Sequence, residues 1–226
     1  MSAALRLLVY DRTCRGRPLL PGLSHAWAAG ARLYRARGLV DLARGVESWE
    51  QALDWLGDVE PERAIAEIQF WGHGKWGLAR VGEEELSLRS LEPGHPHQRR
   101  LARIRERLVP DALWWFRTCE TFGAERGQAF AAAWSSFFGC RSAGHTYVIG
   151  AWQSGLHLLG PGETPAWSEA EGLAEGTPSA PVRALWSRPE APNTITCFDG
   201  TLPDLVDAHD AVLEQRNEQP EARQAR

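Results

Sequence analysis

His73 stands between Gly72 and Gly74, at the point where the apolar run Ala66–Trp71 stops. Cys119 holds a similar place, directly after the run "ALWWFRT" (Ala112–Thr118) and ahead of the polar turn "ETFG". Together the two side chains suit nucleophilic attack on a carbonyl. A free thiol with a pKa near ~8.5 is only a few per cent thiolate at neutral pH, yet it is intrinsically very nucleophilic. A neighbouring imidazole stabilises the thiolate or hands a proton to the leaving group, an effect typically worth ~10²–10⁴ in rate. Gly74 has no side chain to obstruct its own N–H, so the backbone after His73 is able to face a developing oxyanion. A lone histidine in a turn or a lone cysteine in a core needs no such explanation. The repeated placement, each at the end of an apolar strand, is what singles out the pair.

Such a pair must be carried by elements that bring two strand ends together. "LRLLVYD" (Leu5–Asp11) is a short, branched apolar run that reads as a strand buried on both faces. Leu23 to Gly38 has the period of an amphipathic helix. Ser48 opens another as N-cap, with Gln51 completing a capping box, Trp49, Ala52, Leu53 and Leu56 on one face, and Gly57 as its stop. After the His73 strand, "KWGLARVGEEELSL" alternates about Gly82 and predicts a small hairpin. "RRLARIRERL" predicts a surface helix ended by Pro110-Asp111, and "ALWWFRT" a second central strand. "GQAFAAAWSSFFG" sets Phe130, Ala133, Trp134, Phe137 and Phe138 at helical spacing, closed by Gly139, and "HTYVIG" reads as a further strand. This alternation is that of an α/β fold with a mostly parallel sheet. In such sheets catalytic groups gather at the carboxyl ends of strands, which lie about 4.8 Å apart when adjacent.

Composition narrows the function classes. A net charge of −4 argues against a nucleic-acid binder, and the arginines at 99, 100, 103 and 105 read as one solvated helix face. No stretch approaches the ~18 apolar residues of a membrane span. Asp11 and Arg12 come too early for a signal peptide, so a cytoplasmic location is expected. Abundant Arg with almost no Lys points to a GC-rich bacterial genome. Cys14, Cys140 and Cys197 read as small core residues, expected as thiols in a reducing compartment. There is no G-x-S-x-G elbow and no phosphate-binding glycine motif. A metal site from His95-Pro96-His97 with Cys140 or His145 lacks a second ligand pair at metal-site spacing, so neither metal nor cofactor is expected.

The stretches "FWGHGKWGLARVGEEELSL" and "LWWFRTCETFGAERGQAFAAAW" together resemble the caspase-like cysteine peptidases of clan CD. Their pattern is a strand ending His-Gly, a β-hairpin, a helix, and a strand ending in Cys. "TCETFG" is similar to the "SACETG" element of the CHAT branch. The resemblance implies a three-layer α/β/α sandwich with a mostly parallel central sheet and a β-hairpin after the His-Gly strand. It makes His73 the general acid/base and Cys119 the nucleophile, with the amides of Gly74 and Cys119 as the oxyanion hole. The implied reaction is hydrolysis of a polypeptide through a thioester, without metal or cofactor. Trp152, Gln153 and His145 become candidates for lining the substrate groove. Arg117 departs from the small residue the pattern has two places before the cysteine, and Trp71 is bulky before the Gly-His turn. The alternative reading is a fold of the same kind that binds a protein partner without cutting. One domain over 1–216 is expected, with a loop-rich extension at 160–193 and a flexible tail at 217–226. "TITCF" adds an expected edge strand and "LPDLVDAHDAVLEQR" a last helix.

Overall fold

The computed structural model describes residues 3–17 and 20–197. The predicted last helix and the tail lie outside these. In chain order the elements begin with β1 (Leu5–Asp11), a short ladder of β2 (Gly16–Arg17) and β3 (Leu20–Pro21), α1 (Leu23–Ala36), β4 (Leu42–Val46), α2 (Trp49–Asp58) and β5 (Ile65–Trp71). A meander follows, of β6 (His73–Lys75), β7 (Leu78–Val81) and β8 (Glu84–Ser87), then α3 (Gln98–Arg105), β9 (Leu108–Arg117), α4 (Ala124–Phe138) and β10 (Arg141–His145). The last described elements are β11 (Trp152–Gln153), β12 (Leu156–Leu159), the pair β13 (Leu173–Gly176) and β14 (Pro181–Ala184), and β15 (Ile195–Thr196).

Six strands form the central sheet in the order β4-β1-β5-β9-β10-β12. All its pairings are parallel except that of β12 with β10. The chain is thus α/β with a mostly parallel sheet, as the alternation of patterns predicts. Helices cover both faces. α1 packs Ala31 and Tyr34 on Leu8 and Trp71, while α2, α3 and α4 bury Leu53, Ile104 and Trp134 against Ile68, Trp114 and Phe116. Gly30 lets α1 approach, since a Cβ there would lie 2.7 Å from the Trp71 ring. Beneath α4 the rings of Trp114, Phe116, Phe130, Trp134 and Phe138 interlock with centroids 4.8–5.3 Å apart, the spacing of favourable tilted and edge-to-face pairs.

Four local expectations need correction. The strand near residue 145 is Arg141–His145, and "HTYVIG" is mainly the loop after it. Its small residues hide it from a hydrophobic-pattern reading, but Gly144 is needed because a Cβ there would meet the Phe122 ring at 2.5 Å. The helix before β9 ends at Arg105, and Pro110-Asp111 lies inside β9. There the ladder to β5 jumps from Leu108 to Leu113, so the proline, which has no N–H to give, sits in the bulge. α2 runs through Gly57 to Asp58, and a Cβ at Gly57 would stand 2.4 Å from the Arg103 guanidinium that packs there. The arginines of α3 are not simply a solvated face. Arg100 bonds Asp54 at 2.7 Å and Glu50 at 2.5 Å, and Arg103 pairs with Asp58 at 2.9 Å, so they form the seam between α2 and α3. "TITCF" does hold a short strand, but β15 pairs with β11 outside the central sheet.

Candidate functional site

β5 and β9 are adjacent and parallel, with Trp71 opposite Arg117 at their carboxyl ends. The expected turn at His73 is a bend at Gly72 alone, with His73 and Gly74 opening β6; this bend and the Thr118-Cys119 turn leave neighbouring strands side by side. Gly74 is where they touch: a Cβ there would lie 2.2 Å from Thr121 Oγ1, 2.7 Å from the Cys119 carbonyl and 2.7 Å from Thr118 Cβ. Side-chain and backbone bonds stitch the two turns together. Thr121 Oγ1 donates to the Leu78 carbonyl at 3.1 Å, and the Gly77 N–H donates to the Thr121 carbonyl at 3.0 Å. On the other flank the Glu120 N–H reaches the Tyr147 carbonyl at 2.9 Å and the Phe122 N–H the His145 carbonyl at 3.0 Å. Glu120 itself sits at φ +40°, a left-handed conformation that a non-glycine residue holds only when its surroundings enforce it.

A methyl group at position 74 has no room unless the hairpin moves away from the Cys119 turn. Gly74→Ala is accordingly expected to destabilise the protein by about 1–3 kcal/mol, the usual range for overpacking. The check is urea unfolding of the variant, with the reactivity of Cys119 toward iodoacetamide followed in parallel.

The His73 imidazole is exposed and its Nε2 lies 3.0 Å from a thiol. That thiol is Cys14, in the loop after β1. Trp27 of α1 meets the imidazole edge-on at 5.6 Å between ring centroids. The Cys119 thiol is mostly buried and faces the Ile149 carbonyl, with Sγ 3.9 Å from that oxygen. Burial pushes the Cys119 thiol up, and the nearby Glu120 carboxylate adds to the effect. Glu120 is itself buried, with Oε2 unpaired among the described residues and Lys75 Nζ 3.9 Å from Oε1, and burial raises its carboxyl.

Under the two strand ends lies a buried guanidinium. Arg117 donates to Tyr34 Oη at 2.5 Å, to Gln153 Oε1 at 2.9 and 3.2 Å, and to the Cys197 carbonyl at 3.0 Å. It stacks 4.4 Å over Trp115 and 4.9 Å over Trp71. Arg117 and Trp71 are thus turned toward the α1 face and form a floor together. Gln153, a groove candidate from sequence, is buried with its side-chain oxygen committed to Arg117. Trp152 beside it is exposed. His145 is fully buried, its Nδ1 against the Ser154 carbonyl at 3.2 Å and its Nε2 unpaired among the described residues.

Sequence reading missed Cys14 as a site residue and grouped it with the core. Cys140 is buried, with its thiol pushed up to about 12 by that burial, whereas Cys14 and Cys197 are partly exposed. The signal for Cys14 was present: it follows a strand end, as Cys119 does. Among the described residues no group of three or more His, Cys, Asp or Glu is arranged to hold a metal ion, and no helix is long and apolar enough to cross a membrane. Comparison with protein-family models, curated proteins and solved structures returned no match.

Proposed function

We propose that this chain is a caspase-like cysteine peptidase, hydrolysing peptide bonds with Cys119 as nucleophile and His73 as general acid/base. The observation that carries the reading is the contact of Gly74, next to His73 at the start of β6, with the Cys119 turn at the carboxyl ends of two adjacent parallel strands. The element order supports it: a strand ending at Trp71 just before Gly72-His73-Gly74, a β-meander that begins at His73, a helix, and a strand ending just before Cys119. In this reading the thiolate attacks a peptide carbonyl, the oxyanion is received by the amides of Gly74 and Cys119, and His73 protonates the departing amine. Water then hydrolyses the thioester. Trp152 and Trp186 are exposed aromatics, and Trp152 is the one this reading assigns to a polypeptide substrate.

A second reading, a fold of this kind that binds a protein without cutting, is favoured by one observation. His73 Nε2 is engaged by Cys14, and the Cys119 thiol is directed at Ile149. Alkylation by iodoacetamide across a pH series separates the two. Burial alone would leave Cys119 a slow, high-pKa thiol. Peptidase function requires that its titration lie lower in the wild type than in His73→Ala. A peptide mixture should then show new termini by mass spectrometry, lost by at least ~10³-fold in Cys119→Ala and in His73→Ala. Equal Cys119 titration in both proteins, with no new termini, would overturn the peptidase reading.

A further inference from the structure

The loop that carries Cys14 is built to hold it in place. Asp11 Oδ1 accepts from the Thr13 N–H and the Thr13 hydroxyl, each at 2.7 Å, in a tight turn directly after β1. The Arg12 N–H donates to the Val46 carbonyl at 2.8 Å, extending the sheet pairing past the strand. The Ser24 N–H donates to the Cys14 carbonyl at 3.1 Å, and Gly22 closes on the same carbonyl, 2.1 Å from where a Cβ would stand. The thiol therefore meets His73 Nε2 at 3.0 Å from a backbone fixed on three sides. The position has a topological reason as well. β1 continues through α1 to β4 on one side of the sheet, while β5 continues toward β9 on the other. Between strands whose connections diverge in this way a crevice opens at the carboxyl ends. Cys14 and His73 stand at that point.

We propose that Cys14, with His73 as its base, is a second reactive thiol of this protein: a modification site that takes up small disulfides by thiol–disulfide exchange. His73 Nε2 accepts the Cys14 proton, and the Cys14 thiolate attacks one sulfur of a disulfide R–S–S–R. A new S–S bond forms between Cys14 and that sulfur while the old one breaks. The second sulfur leaves as the thiolate RS⁻ and takes the proton from the imidazolium as RSH. Cys14 is oxidised and the leaving group reduced, so the step needs no other reactant. Burial and the Asp11 carboxylate both hold the thiol above its ordinary range with His73 in place, so the step relies on direct proton transfer to Nε2 rather than on a standing thiolate. One Nε2 cannot serve two thiols at once. When Cys14 is capped it has no proton to share, and the imidazole lone pair is released toward the Cys119 turn. This last consequence rests on the peptidase reading; the exchange itself does not.

The test is incubation with 2-hydroxyethyl disulfide at one neutral pH, acid quenching at intervals, and peptide mapping by mass spectrometry. Cys197, also partly exposed, is the internal reference. Cys14 should form the mixed disulfide at least about 10-fold faster than Cys197 in the wild type, and about 10-fold more slowly in His73→Gln than in the wild type. A wild-type Cys14 rate no greater than that of Cys197 overturns the proposal, and that ratio needs no variant. So does an undiminished rate in a His73→Gln protein whose near-ultraviolet circular dichroism matches the wild type. Exchange at Cys14 with Cys119 insensitive to His73 would keep this site and remove the peptidase reading. A His73-dependent Cys119 with an inert Cys14 would do the reverse.

Discussion

Arg117→Ala is expected to lower the unfolding free energy by about 3–5 kcal/mol, the sum of stranded polar groups and an unfilled cavity. The guanidinium is completely enclosed, and burial pulls its pKa down while Tyr34 opposes that. It survives as a cation because nearly every N–H has a partner and three rings, Tyr34, Trp71 and Trp115, lie against it. Its removal strands Gln153 Oε1, takes one donor from the Cys197 carbonyl and opens a hole between the rings. Arg117→Lys should rescue little, because a single ammonium cannot reproduce a planar fork that reaches Tyr34, Gln153 and Cys197 together. Urea unfolding with an unchanged m-value is the measurement. A loss below about 1 kcal/mol for Arg117→Ala would mean that the cage contributes nothing net. The floor also matters to the site, since Trp71 and Arg117 each lie two residues before a proposed catalytic side chain.

The second large effect concerns acid. His145 has its pKa depressed to about 3 by burial first and by the Arg117 charge second. Its ordinary value is 6.5, so above that pH both folded and unfolded chains hold it neutral and the stability is fully present. Below pH 6.5 the unfolded chain binds a proton that the folded chain refuses until about pH 3. Stability should fall across that window by about 1.4 kcal/mol per pH unit from this group alone. His145→Asn keeps a donor toward the Ser154 carbonyl and does not titrate. It introduces a constant offset but should remove that slope, so wild type and variant converge by about 2–3 kcal/mol between pH 6.5 and 4.5. Other carboxyls act in both proteins alike. Asp41 and Glu171 are held low, in spite of burial, by Arg6 and His157, while Glu67 and Glu120 are raised by burial. Parallel stability curves for the two proteins would show that His145 takes up its proton without opening the fold.

Much of the site's scaffold is legible without coordinates. Apolar runs that stop at Trp71 and near Thr118 read as strands because their period and branching have no other use, and the capped face of Trp49, Ala52, Leu53 and Leu56 reads as a helix. The neighbouring placement of those two strand ends also follows, since a helical crossover between parallel strands brings consecutive strands together. What failed was local. Arg141–His145 lacks branched residues because the Phe122 ring demands Gly144, and β9 begins early because a bulge takes up Pro110 and Asp111. Neither demand is visible to a window sliding along the chain.

The sequence by itself determined which residues stand at the ends of the central strands, because periodicity and strand termination are properties of short segments. Only the tertiary structure decided what each of those side chains meets. His73 faces Cys14 because β1 lies beside β5, and Arg117 is caged because Tyr34, Gln153 and Cys197 arrive from three distant parts of the chain. Partners of that kind are chosen by strand order and register, which hundreds of weak nonlocal contacts settle jointly and no single segment encodes.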